Sequence, residues 1–384
     1  MSGKRIFGRG WIVAARIVAV IVLCAWYFSR SGRLVAPAPP PDTPASKSHM
    51  PRETATSPPV ISRSNAPAGP AAMSGAEICG IGHAPVAAID QTDINSYVVA
   101  KTRAAHDRWE SALLNSSDLH ARAVGLVLQQ SGQQVSREAA VRAAEARDEL
   151  VQLAIGASDP TVYELAIGLC LKKASDSTMG SGACTRISPS DWARLDPDNA
   201  APWLTLAWTA RGAGDAKEEA ADFAQAARAQ KLENAGQSLL SLAQSEMPRD
   251  MSPLEKAALS VEFIGFEAAW ASPELGEPLR YCTEDALKKS DVATQCNDFA
   301  NLLVRRGGTL LDFGVGQHLG KRLGWPEARL SDLSREESTL SNQLPKDEPN
   351  PWSCESVARI NEFLEKRVQL GELQALRYFR DTAH

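Results

Sequence analysis

Seven cysteines, six histidines and several glycine-rich stretches are the residues through which this 384-residue chain could do chemistry. Cys79, Cys170, Cys184, Cys282, Cys296 and Cys354 lie in the body of the chain, and Cys24 stands apart near its start. Spacing decides between metal binding, nucleophilic catalysis and disulfides. Zinc sites use close ligand pairs, and the chain has no Cys-x-x-Cys and no His-Glu-x-x-His. Cys79-Gly80-Ile81-Gly82-His83 places a thiol near an imidazole, but a disulfide-bonded cysteine before a glycine turn fits these residues better. The histidines (His49, His83, His106, His120, His318 and His384) are scattered, as expected for surface or partly polar positions. Gly314-Val315-Gly316-Gln317-His318-Leu319-Gly320 lacks the spacing and the preceding strand of a dinucleotide site, so its glycines should serve close helix packing. Asp312 and the charged helix ends near it form no evident carboxylate pair, and no Gly-x-Ser-x-Gly elbow or phosphate loop is present. The expectation is therefore no catalytic residue, no cofactor and no metal.

That leaves disulfides. Six cysteines allow 15 pairings. Cys170/Cys184 and Cys282/Cys296 share a spacing of 14, which suits a staple between the arms of a helical hairpin. Cys79 and Cys354 would then tie the start of the domain to its end. Each bridge could add roughly 2–4 kcal/mol, and the longest loop gains most in the chain-entropy account. Such cysteine usage belongs to an oxidising compartment.

The elements that must hold these cysteines are helices. Alanine and leucine are abundant, aromatics make up 6% of the chain, and apolar residues recur at helical spacing. Ser252-Pro253-Leu254-Glu255 is a capping box with proline at the first helical position, opening a helix to about Ala271 that Ser272-Pro273 stops. Gly307-Gly308 separates a helix over 291–306 from one over 309–323. Ser136 is the expected N-cap of an alanine-rich helix over 137–155 that ends at Gly156. From about Met73 to His384 the chain should be an all-α domain. Its expected parts are a repeat-like stretch over 103–231 and a C-terminal helical part over 252–384.

The N-terminus sets the location. Residues 11–28 are apolar except for Arg16, follow Lys4, Arg5 and Arg9, and would span about 27 Å as a helix. Trp11, Trp26 and Tyr27 mark its two ends. This predicts an uncleaved anchor with residues 1–10 in the cytoplasm, because four basic residues lie at or before Arg16 and only Arg30 and Arg33 just after the stretch. A cleaved signal peptide with its apolar core at 17–28 is the competing reading, but no small-x-small site directly follows it. Residues 36–72 hold 10 of the chain's 23 prolines and should form an extended or disordered spacer. In a bacterium the domain beyond it would be periplasmic, on a single-pass inner-membrane protein. In a eukaryote it would be lumenal.

Charge narrows the partners. All six charged residues among the first 35 are basic, so the remaining chain carries 35 basic against 46 acidic residues. That balance argues against nucleic acid and against the domain lying flat on anionic lipid.

One motif is specific. Leu195-Asp196-Pro197-Asp198-Asn199-Ala200-Ala201-Pro202-Trp203-Leu204-Thr205-Leu206-Ala207 continues through Gly214-Asp215 to Phe223 and Ala226. It resembles a tetratricopeptide repeat. Trp203, Leu206 and Ala207 stand where that repeat places its tryptophan, leucine and small residue, Gly214 falls at the turn, and Phe223 and Ala226 match the second helix. Glu219, Ala210 and Lys231 depart from the pattern. A weaker copy precedes it, with Tyr163 in the tryptophan's role and a loop over 175–181 lengthening the spacing. Residues 109–130 could be a third, more degenerate pair. The resemblance implies stacked helical hairpins that bind a peptide or protein segment. The functional expectation is a scaffold that binds a protein partner in the cell envelope. The alternatives are an envelope or cell-wall enzyme or its accessory subunit, and a self-assembling structural protein.

Overall fold

Helix boundaries follow from the caps. Glu255 N donates to Ser252 Oγ (3.2 Å) while Ser252 N donates to Glu255 Oε2 (2.8 Å), so the expected capping box forms. A second box closes with aspartate: Asp312 N donates to Thr309 Oγ1 (3.1 Å) and Thr309 N to Asp312 Oδ2 (3.0 Å). Thr309 is thus a cap rather than the first helical residue. The helix expected to stop at Gly156 runs one residue further to Ala157. There Ser158 takes the left-handed conformation (φ 53°), and Asp159 caps the next helix by accepting from Val162 N at 3.0 Å.

The computed structural model describes residues 77–83, 91–131, 137–174, 182–270, 273–343 and 350–382. The expected anchor at 11–28, the spacer at 36–72, the cap Ser136 and the loop 175–181 lie outside the described residues. Within them no helix is long and apolar enough to cross a membrane.

The described residues form fifteen α-helices and one two-stranded hairpin, so the fold is all-α. The hairpin pairs β1 (Glu77–Ile78) with β2 (Gly82–His83). The first four helices are α1 (Gln91–Leu114), α2 (Leu119–Ser131), α3 (Arg137–Ala157) and α4 (Pro160–Ala174). Three more follow: α5 (Pro189–Leu195), α6 (Ala200–Gly212) and α7 (Ala216–Arg228). Consecutive members of this series pack on one another up to α7. A connector with the short helix α8 (Leu239–Ala243) then leads to α9 (Pro253–Ala269) and α10 (Pro273–Tyr281). The last five are α11 (Ser290–Arg306), α12 (Leu310–Arg322), α13 (Glu327–Ser341), α14 (Cys354–Leu370) and α15 (Glu372–Thr382).

The two halves share one core. Helix α10 packs on α6 and α11 on α7, while α9 packs on α1, α8 and α14. A single buried apolar cluster extends from Ala105 to Leu376. Trp109, 1% exposed, stacks on Phe263 of α9 with ring centroids 4.4 Å apart. A smaller cluster of Ile78, Val98, Leu254, Ala257, Trp352 and Val357 fastens the hairpin to α1, α9 and α14.

Glycines let these helices meet closely. A Cβ at Gly316 would sit 2.9 Å from Leu303 Cβ, and one at Gly320 would enter the Trp325 ring at 2.2 Å. The glycine run of α12 therefore serves packing.

Candidate functional site

The three cysteine pairs lie at disulfide distance in the pattern that spacing suggests: Cys79–Cys354, Cys170–Cys184 and Cys282–Cys296. Their settings differ from two arms of a helical hairpin. Cys184 lies in a 3-10 turn (Gly182–Arg186), and Cys282 directly follows α10. Both short-range bridges therefore fasten a turn or a helix end to a longer helix. Cys79 sits in the hairpin turn with Gly80 (φ 73°), and its N–H donates to Trp352 O at 2.9 Å.

The residues of the repeat-like motif are structural. Ala207, Phe223 and Ala226 are fully buried in the α6/α7 pair, and Gly214 takes φ 75° in its turn. Leu206 is half-buried. Trp203 is also half-buried, and its Nε1 donates to Pro197 O at 2.9 Å. Phe223 stacks on Tyr281 at 4.1 Å and lies 5.7 Å from Phe299, which carries the seam from this pair into α10 and α11. The departures from the repeat pattern have uses. Arg211 pairs with Glu219 and with fully buried Glu277, both at 2.6 Å. Lys231 bridges Asp196 (3.2 Å) and Glu233 (2.7 Å).

That last bridge lies on the rim of an open cleft of about 360 Å³. One wall is the loop before α6, with Asp196 and Asn199, and the connector after α7, from Leu232 to Leu242. The opposite wall is the start of α12, with Gly308, Thr309 and Asp312, and the α14–α15 junction, with Arg367, Gly371 and Glu372. The start of α4 completes it with Pro160, Thr161 and Glu164. Asn199 Nδ2 donates to Asp196 Oδ2 and Glu233 O, both at 3.0 Å, while its Oδ1 accepts from Glu233 N at 3.1 Å. One amide thus holds the loop and connector together.

Buried charge lies at the back of the cleft. Arg367 Nη2 is 2.6 Å from Glu267 Oε2 and 3.7 Å from Glu372 Oε2. Glu267 Oε1 accepts from Leu240 N at 2.8 Å. Burial pushes the Glu267 carboxyl above its ordinary range, opposed by Arg367. Burial also works against the Arg367 charge, but its two carboxylate partners outweigh this and hold it above its ordinary range. Asp312, 2% exposed, is raised by burial against the pull of Thr309. Its Oδ1 has no hydrogen-bond partner among the described residues. Glu372 Oε1 accepts from Leu310 N at 3.1 Å, capping α12 from the first turn of α15.

Five carboxylates line the cleft: Glu164, Asp196, Glu233, Asp312 and Glu372. Arg367 is the single cation among the lining residues. The cleft is therefore acidic, open to solvent and rich in acceptors. None of the six motif residues lines it, although the motif's leading loop forms part of its wall.

No family model matches the chain, and neither does any curated protein or solved structure.

Proposed function

We propose that this chain is a single-pass inner-membrane protein whose disulfide-tied helical domain faces the periplasm and captures a basic segment of an envelope protein in the acidic cleft. The cleft carries this reading: its lining holds five carboxylates against one arginine, and the partly exposed Lys231, which bridges Asp196 and Glu233 at the rim, marks where an incoming cation would compete. A lysine or arginine entering it would meet the exposed Glu233 and the part-exposed Asp196 and Glu372 first. The apolar N-terminal stretch, the proline-rich spacer and the cysteine pairs support the location, and the likeness of residues 195–226 to a tetratricopeptide repeat supports the binding role.

The test is binding of fluorescent peptides to the full-length protein. Lysine-rich peptides should bind and glutamate-rich ones should not. Affinity should fall as salt rises, because exposed charges are screened beyond roughly 8–10 Å at physiological ionic strength. Glu233→Lys, at an exposed rim position, should weaken binding by about tenfold. Equal binding of both peptide classes would refute the reading.

One observation favours an enzyme acting on an envelope polymer. Asp312 and Glu267 are buried carboxylates held above their ordinary range beside an open cleft, as acid–base residues often are. In that reading Asp312→Asn would abolish turnover of a wall-derived substrate and leave its binding intact.

A further inference from the structure

Away from the cleft, α1 and α9 bring one histidine and three carboxylates together. His106 Nε2 lies 3.6 Å from Glu262 Oε1 of α9. On its other side, Nδ1 lies 3.5 Å from Asp107 Oδ1 and 3.9 Å from Glu110 Oε2. Nδ1 is closed to solvent and has no hydrogen-bond partner among the described residues. Ligand atoms from His106, Asp107 and Glu110 all lie within 4.8 Å of one another.

The Nδ1 edge of the ring faces Asp107 and Glu110 and the Nε2 edge faces Glu262, all at distances too long for a hydrogen bond. A metal ion between Nδ1 and the two carboxylates would supply the partner that Nδ1 lacks. Donors about 2.0–2.2 Å from a tetrahedral ion are roughly 3.3–3.6 Å apart. The His106–Asp107 and His106–Glu110 separations of 3.5 and 3.9 Å lie close to this, and the three ligand atoms together span up to 4.8 Å, so the part-exposed Asp107 and Glu110 side chains must swing inward to close on an ion.

We propose that His106 Nδ1, Asp107 and Glu110 bind a divalent transition-metal ion of the zinc type, with Glu262 of α9, now 3.6 Å from Nε2, closing on that nitrogen to orient the imidazole when the ion is bound. A histidine ligand commonly hands its other ring nitrogen to a carboxylate, which fixes the tautomer and raises its basicity. One nitrogen and two oxygens select zinc-like ions over magnesium or calcium, which favour all-oxygen shells. Water would complete the coordination. Glu262 is a positioning residue, and the site is separate from the cleft and from the function proposed for it.

The test is calorimetric titration of the full-length chain, stripped of metal with a chelator and kept in a mild detergent, with Zn²⁺ alone. The wild type should take up one equivalent that His106→Gln and Asp107→Asn lose. Glu262→Gln should bind about 10–100-fold more weakly. Millimolar Mg²⁺ should not compete. The Asp107 side chain is 65% exposed, so Asp107→Asn leaves the fold intact and reads the site directly. Zinc uptake by Asp107→Asn and His106→Gln equal to that of the wild type would overturn the proposal, as would a wild type that binds no zinc.

Discussion

Replacing Arg367 with methionine should separate the electrostatics of the cleft from its packing. Arg367 is 8% exposed and Glu267 is 4% exposed, with 2.6 Å between the paired atoms. Methionine keeps most of the buried stem volume and removes the charge. Glu267 then retains only the Leu240 N–H, and breaking one side of a buried pair in this way costs about 3–5 kcal/mol. At roughly 2 °C per kcal/mol for a domain of this size, Tm should fall by about 6–10 °C. The cost must depend on pH, with a definite sign. Without Arg367 the folded carboxyl is raised above its unfolded value, so its protonated form is favoured on folding. Stability is then retained below the unfolded pKa and lost as pH rises, by about 1.4 kcal/mol per unit, until the folded group ionises. Chemical unfolding followed by circular dichroism at pH 5 and pH 7.5 should show the larger deficit at pH 7.5. The double variant Arg367→Met, Glu267→Gln should recover much of it, since no buried charge remains. A deficit under about 1 kcal/mol, or one that is equal at both pH values, would refute this account of the cleft's inner wall.

Other outcomes follow from single features. Removing Cys79–Cys354, with its separation of 275 residues, should cost about 5–6 kcal/mol in the chain-entropy account, against about 3 kcal/mol for either bridge with a separation of 14; unfolding of the Cys→Ala pairs measures this ranking. Gly236→Ala should destabilise by about 1–3 kcal/mol, because the new Cβ would lie 2.1 Å from Trp270 Nε1 and a flat buried ring cannot swing clear; a Tm unchanged within error would contradict it. Burial, with a contribution from Glu218, raises the Asp222 carboxyl to about 6. A raised folded pKa means stability lost as pH climbs from about 4 to 6, so Asp222→Asn should gain on the order of 1 kcal/mol at pH 7.5 and nothing at pH 3.5.

The helical class was legible, and so were the ends of the few helices whose caps and stops the residues spell out, because both depend on local rules. Ser252-Pro253-Leu254-Glu255, Gly307 and the alanine-rich run after Arg137 each mark a boundary within a few residues of the one observed. The cysteine pairing could also be read, since two equal short spacings leave one long-range pair. The cleft could not, because its walls come from residues as far apart as Glu164 and Glu372. A partial signal existed. Glu267, Asp312 and Arg367 share helix faces with apolar or small residues three or four positions away, Phe263 for Glu267, Val315 and Gly316 for Asp312, and Phe363 and Leu364 for Arg367, and a charge placed there must find a buried partner. The sequence does not say that Arg367 and Glu267 would find each other across 100 positions. The His106 cluster was hidden in the same way: Asp107 and Glu110 are visible beside it, but Glu262 arrives from another helix.

The most direct test of the central claim is site-specific photocrosslinking of the full-length protein in intact cells. A photoreactive residue would replace Ser241, an exposed lining position of the cleft, and, as control, Lys288, an exposed position outside the cleft lining. The account predicts a discrete adduct with another envelope protein from position 241, none from position 288, and loss of the adduct when Glu233→Lys is added. No adduct from position 241, or the same adducts from both positions, would contradict it.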